Sequence, residues 1–404
     1  MKNEFNLVSA NESNYKYEYM IQREKELYKD DLNLRTEFER DYTRIVHSTA
    51  YRRLKHKTQV FFSPENDHVC TRIEHVIHVD SISYTIAKYL GLNTELTKAI
   101  AIGHDLGHSP FGHKGERILS SISEKEIGER FWHEKNGLNF VDNLELLEDR
   151  QGFKQNMNLT YAVRDGIISH CGEVDQNAIK PRDEFIDLNR YEKPNQFAPY
   201  TWEGCVVKVA DKISYIGRDI EDAIRLGIID NSLDELYDIL ELDRSDKINN
   251  TAIINRLVSD LVTNSSIQKG LSFSNEAVQM MDRIKAFNYK NIYNAERLMP
   301  GNRYFELLIN EIYNYLDKLY DGANTKKILE EKSKDSPKII NNFREWIQSY
   351  WNLENRNNSN LKNSVIFDMS NPKDYKRAII YFISGMTDRF AMEVYREIIS
   401  FWRE

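Results

Sequence analysis

Between Ala99 and Glu116 the chain reads AIAIGHDLGHSPFGHKGE, a run that fixes where one helix must end and what stands at its end. Alanine and apolar residues lead up to His104 and Asp105 at helical spacing. The glycines and Pro110 that follow cannot extend a regular helix. The spacing therefore predicts a helix terminus carrying a His-Asp pair. Adjacent helical residues point about 100° apart, so the two side chains cannot share one apolar core, yet both can reach one ion beside the terminus. Taken alone, such a pair reads as a capping Asp next to a buried His. Further polar clusters at ligand-like positions tip the reading towards a metal.

Bulk properties narrow the classes. A chain of 404 residues, 41% apolar and 29% charged, supports one large domain or a core with an appended region, without requiring two independent domains. No run of 18 apolar residues occurs, and the start is polar and acidic rather than a signal peptide, so the expectation is a cytoplasmic protein with no membrane partner. Cys70, Cys171 and Cys205 are odd in number and lack CxxC spacing, which argues against a disulfide framework and a cysteine zinc site. Any metal must use His and carboxylate. A net charge of -8 and a pI near 5.8 give no global attraction to nucleic acid or anionic membrane. The P-loop and GxGxxG fingerprints are absent, so phosphate has to be held by side chains and metal.

Along the chain, residues 1–36 read as a charged, Tyr-containing arm, helical in its second half. From Glu37 the apolar spacing becomes helical, with a basic cluster at Arg44, Arg52, Arg53, Lys55, His56 and Lys57. That cluster reads either as a solvated helix face or as a phosphate cradle, since Arg forks match phosphate oxygens. TRIEHVIHVDSISYTIAKYLGL predicts an amphipathic helix ending near Gly91, with Arg72 and His75 on one face and His78 structural. An antiparallel neighbour starting near Thr94 brings His104 and Asp105 beside His75. His113 and Glu116 are three apart, a spacing that lets the carboxylate hold the imidazole as a general base requires; in isolation the pair reads as a capping Glu beside an exposed His. ERFWHEKNGLNFVDNLE predicts another helix with His133 near its start, and His170 sits at the C-terminal end of a further one, in a structural or supporting place.

Pro181, Pro194 and Pro199 mark a non-helical excursion. WEGCVVKVADKISYIGRDIEDAIRLG then places Asp211, Tyr215 and Asp219 at intervals of four, with Lys212 adjacent, while Val206, Val209, Ile213, Ile216 and Ile220 form the core face. A buried helix with such a polar stripe points to a ligand. Helical periodicity continues to the end, so the fold class is all-α. GANTKKILEEKSKDSPK and NLENRNNSNLKNS read as surface loops.

The text HSTAYRRLKHKTQVF, TRIEHVIHV, GHDLGHSPFGHKGE, FWHE, VVKVADKISYIGRDIEDAIRLGI and ISGMTDRFA, in that order, resembles the deoxyguanosinetriphosphate triphosphohydrolase-like branch of the HD-domain metal phosphohydrolases. The resemblance implies an HD-domain helical core over 37–231, following the arm at 1–36, and a C-terminal helical region over 232–404 packed on it. It makes His75, His104, Asp105 and Asp211 the ligands of a divalent metal: Mn, Mg or Fe, with Zn and Ni also suited. His113 and Glu116 match the catalytic pair. His108, His133, Arg72 and Lys212 match phosphate-contacting positions, and Gln59, Tyr215 and Asp219 match those that contact the deoxyribose.

The implied reaction is hydrolysis of a deoxynucleoside triphosphate, dGTP first, at the α-phosphorus to deoxynucleoside and tripolyphosphate. Tyr215 is suited to excluding a ribose 2'-hydroxyl. The resemblance also implies a homo-oligomer, tetramer or hexamer, and leaves room for a dNTP or single-stranded DNA effector. The alternative is an HD-domain nucleotidase or phosphodiesterase that uses the same metal set on a monophosphate or diester.

Overall fold

A computed structural model describes residues 4–25, 34–62, 68–171, 178–229, 233–245, 248–334, 338–352, 356 and 359–400. The described helices include α1 (Glu37–His47), α2 (Arg72–Leu90), α3 (Thr94–Gly103), α4 (Gly112–Ile127), α5 (His133–Asn139), α6 (Tyr161–Ser169) and α7 (Trp202–Arg225). They continue with α8 (Asn250–Asn264), α9 (Asn275–Asn288), α10 (Met299–Asp317), α11 (Lys338–Ile347), α12 (Pro372–Ser384) and α13 (Asp388–Ser400). Among the described residues strand is confined to two short antiparallel pairs, β1 (Leu146–Glu148) with β2 (Lys154–Asn156), and β3 (Ala178–Ile179) with β4 (Leu271–Ser272). The fold is all-α, as the periodicity predicts. Among the described residues no helix is long and apolar enough to cross a membrane.

The chain divides into two compact units. The first comprises Met1–Ile45, Ser63–His104 and Leu159–Pro300; the second comprises Val46–Phe62, Asp105–Asn158 and Gly301–Glu404.

In the first unit, α2 starts where the Thr71 backbone N–H and hydroxyl both donate to Glu74, and stops at Gly91, whose φ of 83° is left-handed. Asn93 then caps α3 by accepting from the N–H groups of Glu95 and Leu96, so the turn between the two helices is tight and they run antiparallel. The apolar run that sequence spacing assigns to α3 is buried from Ala99 to Ile102. Helix α7 is capped by Thr201, and its apolar face, Val206, Val209, Ile213, Ile216 and Ile220, is buried throughout. Each such side chain contributes about 1.5–3 kcal/mol of burial. Both α2 and α6 pack on α3 and on α7, so four helices surround the ends that carry the polar residues; α8 and α9 pack on α7 as well.

The N-terminal segment belongs to this unit. Glu203, buried in the first turn of α7, accepts from Ser9 Oγ, the Ala10 N–H and the Asn93 N–H. Only Tyr17–Met20 of its second half is a described helix, one turn long; residues 26–33 of the expected helix lie outside the described residues.

In the second unit α12 packs on α4, and α11 meets α12 and α13. Phe343, Trp346 and Phe382 form an aromatic cluster there, with Phe343 and Phe382 5.2 Å apart edge-on. One sequence expectation is corrected. GANTKKILEEKSKDSPK is not all surface loop, because Thr325–Lys332 is helical with Leu329 and Thr325 buried. Its lysines and glutamates are good helix formers, and two buried contacts are enough to hold them in that state. Of NLENRNNSNLKNS, residues 353–355 and 357–358 lie outside the described residues.

Candidate functional site

In the first unit, three of the expected ligands converge. His104 stands at the C-cap of α3 and His75 one turn into α2, with ring centroids 5.5 Å apart. His75 Nε2 is 3.0 Å and His104 Nε2 3.9 Å from the same oxygen, Asp211 Oδ1 on α7. One ligand atom from each of the three lies within 4.8 Å of the others. His104 Nδ1 is 2.6 Å from the Ala101 carbonyl. A carbonyl only accepts, so the proton is on Nδ1 and Nε2 keeps its lone pair, the tautomer a metal ligand needs.

His170 repeats the arrangement at the C-cap of α6: its Nδ1 faces the Ile167 carbonyl at 2.7 Å, and its ring lies 4.9 Å from that of His104. Burial opposes ionisation of Asp211, but the hydrogen bond from His75 and the imidazoles of His75, His104 and His170 outweigh it and hold the carboxyl at about 2. Two imidazoles and an ionised carboxylate, mostly buried and converging on one point, fit a divalent transition metal or Mg with positions left open.

Further along α7 the stripe continues. Lys212 and Tyr215 are partly exposed, and Asp219 is buried with its carboxylate 2.5 Å from the hydroxyl of Tyr293. Burial pushes Asp219 up to about 7, against the Tyr293 hydrogen bond and the charges of His75 and Arg72. Asn288 Nδ2 donates to the Ile216 carbonyl and ties the turn that carries Tyr293 to α7. Arg72, the first residue of α2, is 1% exposed. His78 is 3.4 Å from Arg218 Nη2, and burial first, then that guanidinium, lowers its pKa; it is structural, as expected.

The second unit holds the remaining histidines. Glu116, one turn into α4, lies 3.3 Å from His113 Nδ1. Both of its oxygens are 3.1 Å from His133 Nδ1, and one accepts the His133 backbone N–H. Burial opposes ionisation of Glu116, but His133, His113 and His108 hold its carboxyl well below the usual range. His113 is 64% exposed at its side chain and His133 6%, so one carboxylate holds an open and a closed imidazole at once. His108 stacks on His133 with centroids 3.8 Å apart, and its Nδ1 lies 2.9 Å from Asp105 Oδ1.

The glycines of the motif do more than break a helix. A Cβ on Gly107 would fall 2.1 Å from both the His133 carbonyl oxygen and the Gly137 nitrogen, and one on Gly115 1.8 Å from the Pro110 carbonyl oxygen. Phe111 takes a left-handed φ of 61°, and its N–H is held by Asp388 Oδ1. Asp388 Oδ2 accepts from the Thr58 N–H, so the ISGMTDRFA segment braces the histidine loop. Gln59 follows Thr58, with its Oε1 buried and without a hydrogen-bond partner among the described residues. Of the basic cluster, Lys57 is buried and donates to the His108 and Ser384 carbonyls, and Arg53 pairs with Glu145 at 2.7 Å. Those two cations are structural; Arg52, Lys55 and His56 are exposed.

The model of the HD domain family matches residues 72–216, and that of the phosphohydrolase-associated domain family matches 341–397. The deoxyguanosinetriphosphate triphosphohydrolase-like protein of Caldanaerobacter subterraneus subsp. tengcongensis is 32% identical over 368 residues, 91% of this chain and 86% of that one. Those of Rickettsia bellii and Desulfatibacillum aliphaticivorans are each 33% identical, over 91% and 90% of this chain and 92% and 88% of their own lengths. The chain belongs to the deoxyguanosinetriphosphate triphosphohydrolase-like family of HD-domain proteins.

Membership makes it a phosphohydrolase that binds a divalent metal, and the His75, His104 and Asp211 cluster is able to hold one. All three come from the HD-domain match at 72–216, as do His108, His113, Glu116 and His133. Spacing does not single out Tyr293, and it places His170 in the structural or supporting position that it takes beside His104. Tyr293 lies in a stretch without a recognisable motif, and its only signal is a tyrosine four residues after Tyr289 in a helical context. His170 had the signal of a second imidazole at a helix C-terminus.

Proposed function

We propose that this phosphohydrolase converts a deoxynucleoside triphosphate, dGTP first, to deoxynucleoside and inorganic tripolyphosphate. The observation that carries the reading is the Glu116 carboxylate shared by His113 and His133, a group able to handle protons. A divalent ion held by that cluster, with Asp105 the next residue in the chain, supplies Lewis acidity towards a phosphate oxygen.

Water adds at the α-phosphorus, giving up a proton to solvent, and the bond to the 5'-oxygen breaks. His113, exposed and oriented by Glu116, gives the proton that the departing nucleoside alkoxide needs. Arg72, Lys212, His108 and His133 are assigned to the phosphates, where cationic and N–H donors offset the charge of tripolyphosphate. Gln59, Tyr215 and Asp219 are assigned to the deoxyribose. The orphan Gln59 Oε1 supports that role as an acceptor awaiting a donor, and Tyr293, by its bond to Asp219, joins the set.

A screen of the four dNTPs and GTP with Mg or Mn, with products resolved by anion exchange, tests this. Tripolyphosphate in equal amount to deoxynucleoside is expected. Pyrophosphate with dNMP, or orthophosphate with dNDP, would overturn it, and action on a monophosphate or diester alone would favour the nucleotidase or phosphodiesterase reading. We also propose a cytoplasmic homo-oligomer, tetramer or hexamer; a fully active monomer at micromolar concentration by light scattering would refute the assembly.

A further inference from the structure

Lys208 is a buried cation with no place in the proposed reaction. It lies on α7 one turn before Asp211 and is 4% exposed. Its Nζ donates to the Ser169 carbonyl at 3.2 Å, to the Cys171 carbonyl, and to Asn195 Oδ1 at 2.9 Å. Taking an ammonium out of water is costly and requires acceptors arranged for it. Two of these acceptors are carbonyls at the C-terminal end of α6, where the helical ladder runs out of donors and the dipole favours a cation.

The residue between those two carbonyls is His170. Its Nδ1 donates to the Ile167 carbonyl, so Nε2 carries the lone pair, and the ring, 1% exposed, stands 4.9 Å from that of His104. Asn195 sits in the proline-containing loop with a left-handed φ of 58°, so one ammonium joins that loop, the end of α6 and α7. Asp211 and His170 are therefore referenced to the same helix, the carboxylate by its own place on α7 and the imidazole through Lys208. Without that tie the end of α6 is free to carry the His170 ring away from His104, which keeps its own anchor on the Ala101 carbonyl.

We propose that Lys208 is a positioning residue: it fixes His170 against His104 and thereby sets how tightly the His75, His104 and Asp211 cluster holds a divalent ion. The proposal rests on the reading of those three residues as ligands. Groups that orient the surroundings of a metal site change its affinity by about 10–100-fold when they are removed. Lys208 reaches the site through backbone carbonyls and one imidazole, so its effect has to vanish when that imidazole is absent.

Mn²⁺ is titrated by calorimetry into metal-free, full-length wild type, Lys208→Met, His170→Ala and the double variant. Lys208→Met keeps an unbranched apolar stem and removes the ammonium. It is expected to weaken Mn²⁺ binding about tenfold or more, His170→Ala to weaken it similarly, and the double variant to bind no more weakly than His170→Ala alone. Unchanged affinity in Lys208→Met would overturn the proposal. So would an equally large loss in the His170→Ala background, which a general loosening of the fold produces. Asp211→Asn tests the ligand reading by itself: unchanged Mn²⁺ affinity there ends that reading, while the Lys208–His170 coupling is still decided by the four-way comparison. If Lys208→Met does not fold by circular dichroism, Asn195→Gly replaces it, because the position is exposed, glycine accepts the left-handed φ, and only one acceptor of Lys208 is lost. A smaller loss of Mn²⁺ affinity, absent in the His170→Ala background, then upholds the role, and unchanged affinity overturns it.

Discussion

Asp219 is a group whose retention costs stability, and replacing it gives a sharp test of the pocket on α7. It is 3% exposed, and burial lifts its carboxyl from 3.8 to about 7. Because the folded-state value is the higher one, the sign is the reverse of the usual carboxylate. The contribution of this group to stability is most favourable below about pH 4, falls as pH rises from 4 to 7, and is level above that. The rise from 3.8 to about 7 corresponds to about 4 kcal/mol at about 1.36 kcal/mol per pH unit, of which about 2–3 kcal/mol is lost between pH 5 and 8.

Asp219→Asn removes the titration, keeps the volume, and retains an oxygen to accept the Tyr293 hydroxyl, now 2.5 Å from Oδ2. The stability gap between variant and wild type should therefore move in the variant's favour by about 2–3 kcal/mol from pH 5 to pH 8. Urea denaturation of metal-free protein at the two pH values, with equal m-values, measures it. A gap that does not change with pH, or that moves the other way, would refute the reasoning. On the proposed sugar assignment the same variant loses kcat/KM for dGTP, so the residue is kept for function at the expense of the fold.

Chelation should abolish hydrolysis, and Asp211→Asn should lose metal, read by elemental analysis; near-normal turnover with metal retained would undo the ligand assignment. Glu116→Gln should lower kcat by about 10²–10⁴ without releasing metal from an otherwise intact chain in Mg²⁺, because it removes the acceptor for two imidazoles, as single-turnover kinetics would show. Deoxynucleotides should be strongly preferred, and equal kcat/KM for dGTP and GTP would refute the role of Tyr215. Gly107→Ala should prevent the His133 turn from seating, since backbone lies 2.1 Å from the new Cβ on two sides. The expected result is loss of most activity and a cost of several kcal/mol, about 3 or more, on urea denaturation.

What was legible along the chain is what spacing controls. Helical periodicity and caps placed α2, α3 and α7, and with them His75, His104 and Asp211, because each sits at a position set by its own helix: one turn in, at the C-cap, and on the polar stripe. Contacts between distant residues were not legible. Glu116 was paired with His113 by a three-residue step, yet its shorter contacts are to His133, 17 residues on, because the Gly107 turn lets α5 fold back onto α4. Tyr293 reaches Asp219 across 74 residues and Asp388 reaches Phe111 across 277, with no periodic pattern to announce either.

Lys57 shows why composition misleads at such places. In sequence it is one more cation in a basic cluster, but in the fold its ammonium is buried against the carbonyls of His108 and Ser384. It is therefore spent on fixing the backbone at His108, and is not available for phosphate. The same logic explains the left-handed Phe111, a conformation that would favour glycine. Its N–H is held by the Asp388 carboxylate, which also holds Thr58, so the strain at one residue is offset by a brace from the far end of the chain. The histidine loop is thus rigid because remote segments hold its backbone, and its side chains are left to do chemistry.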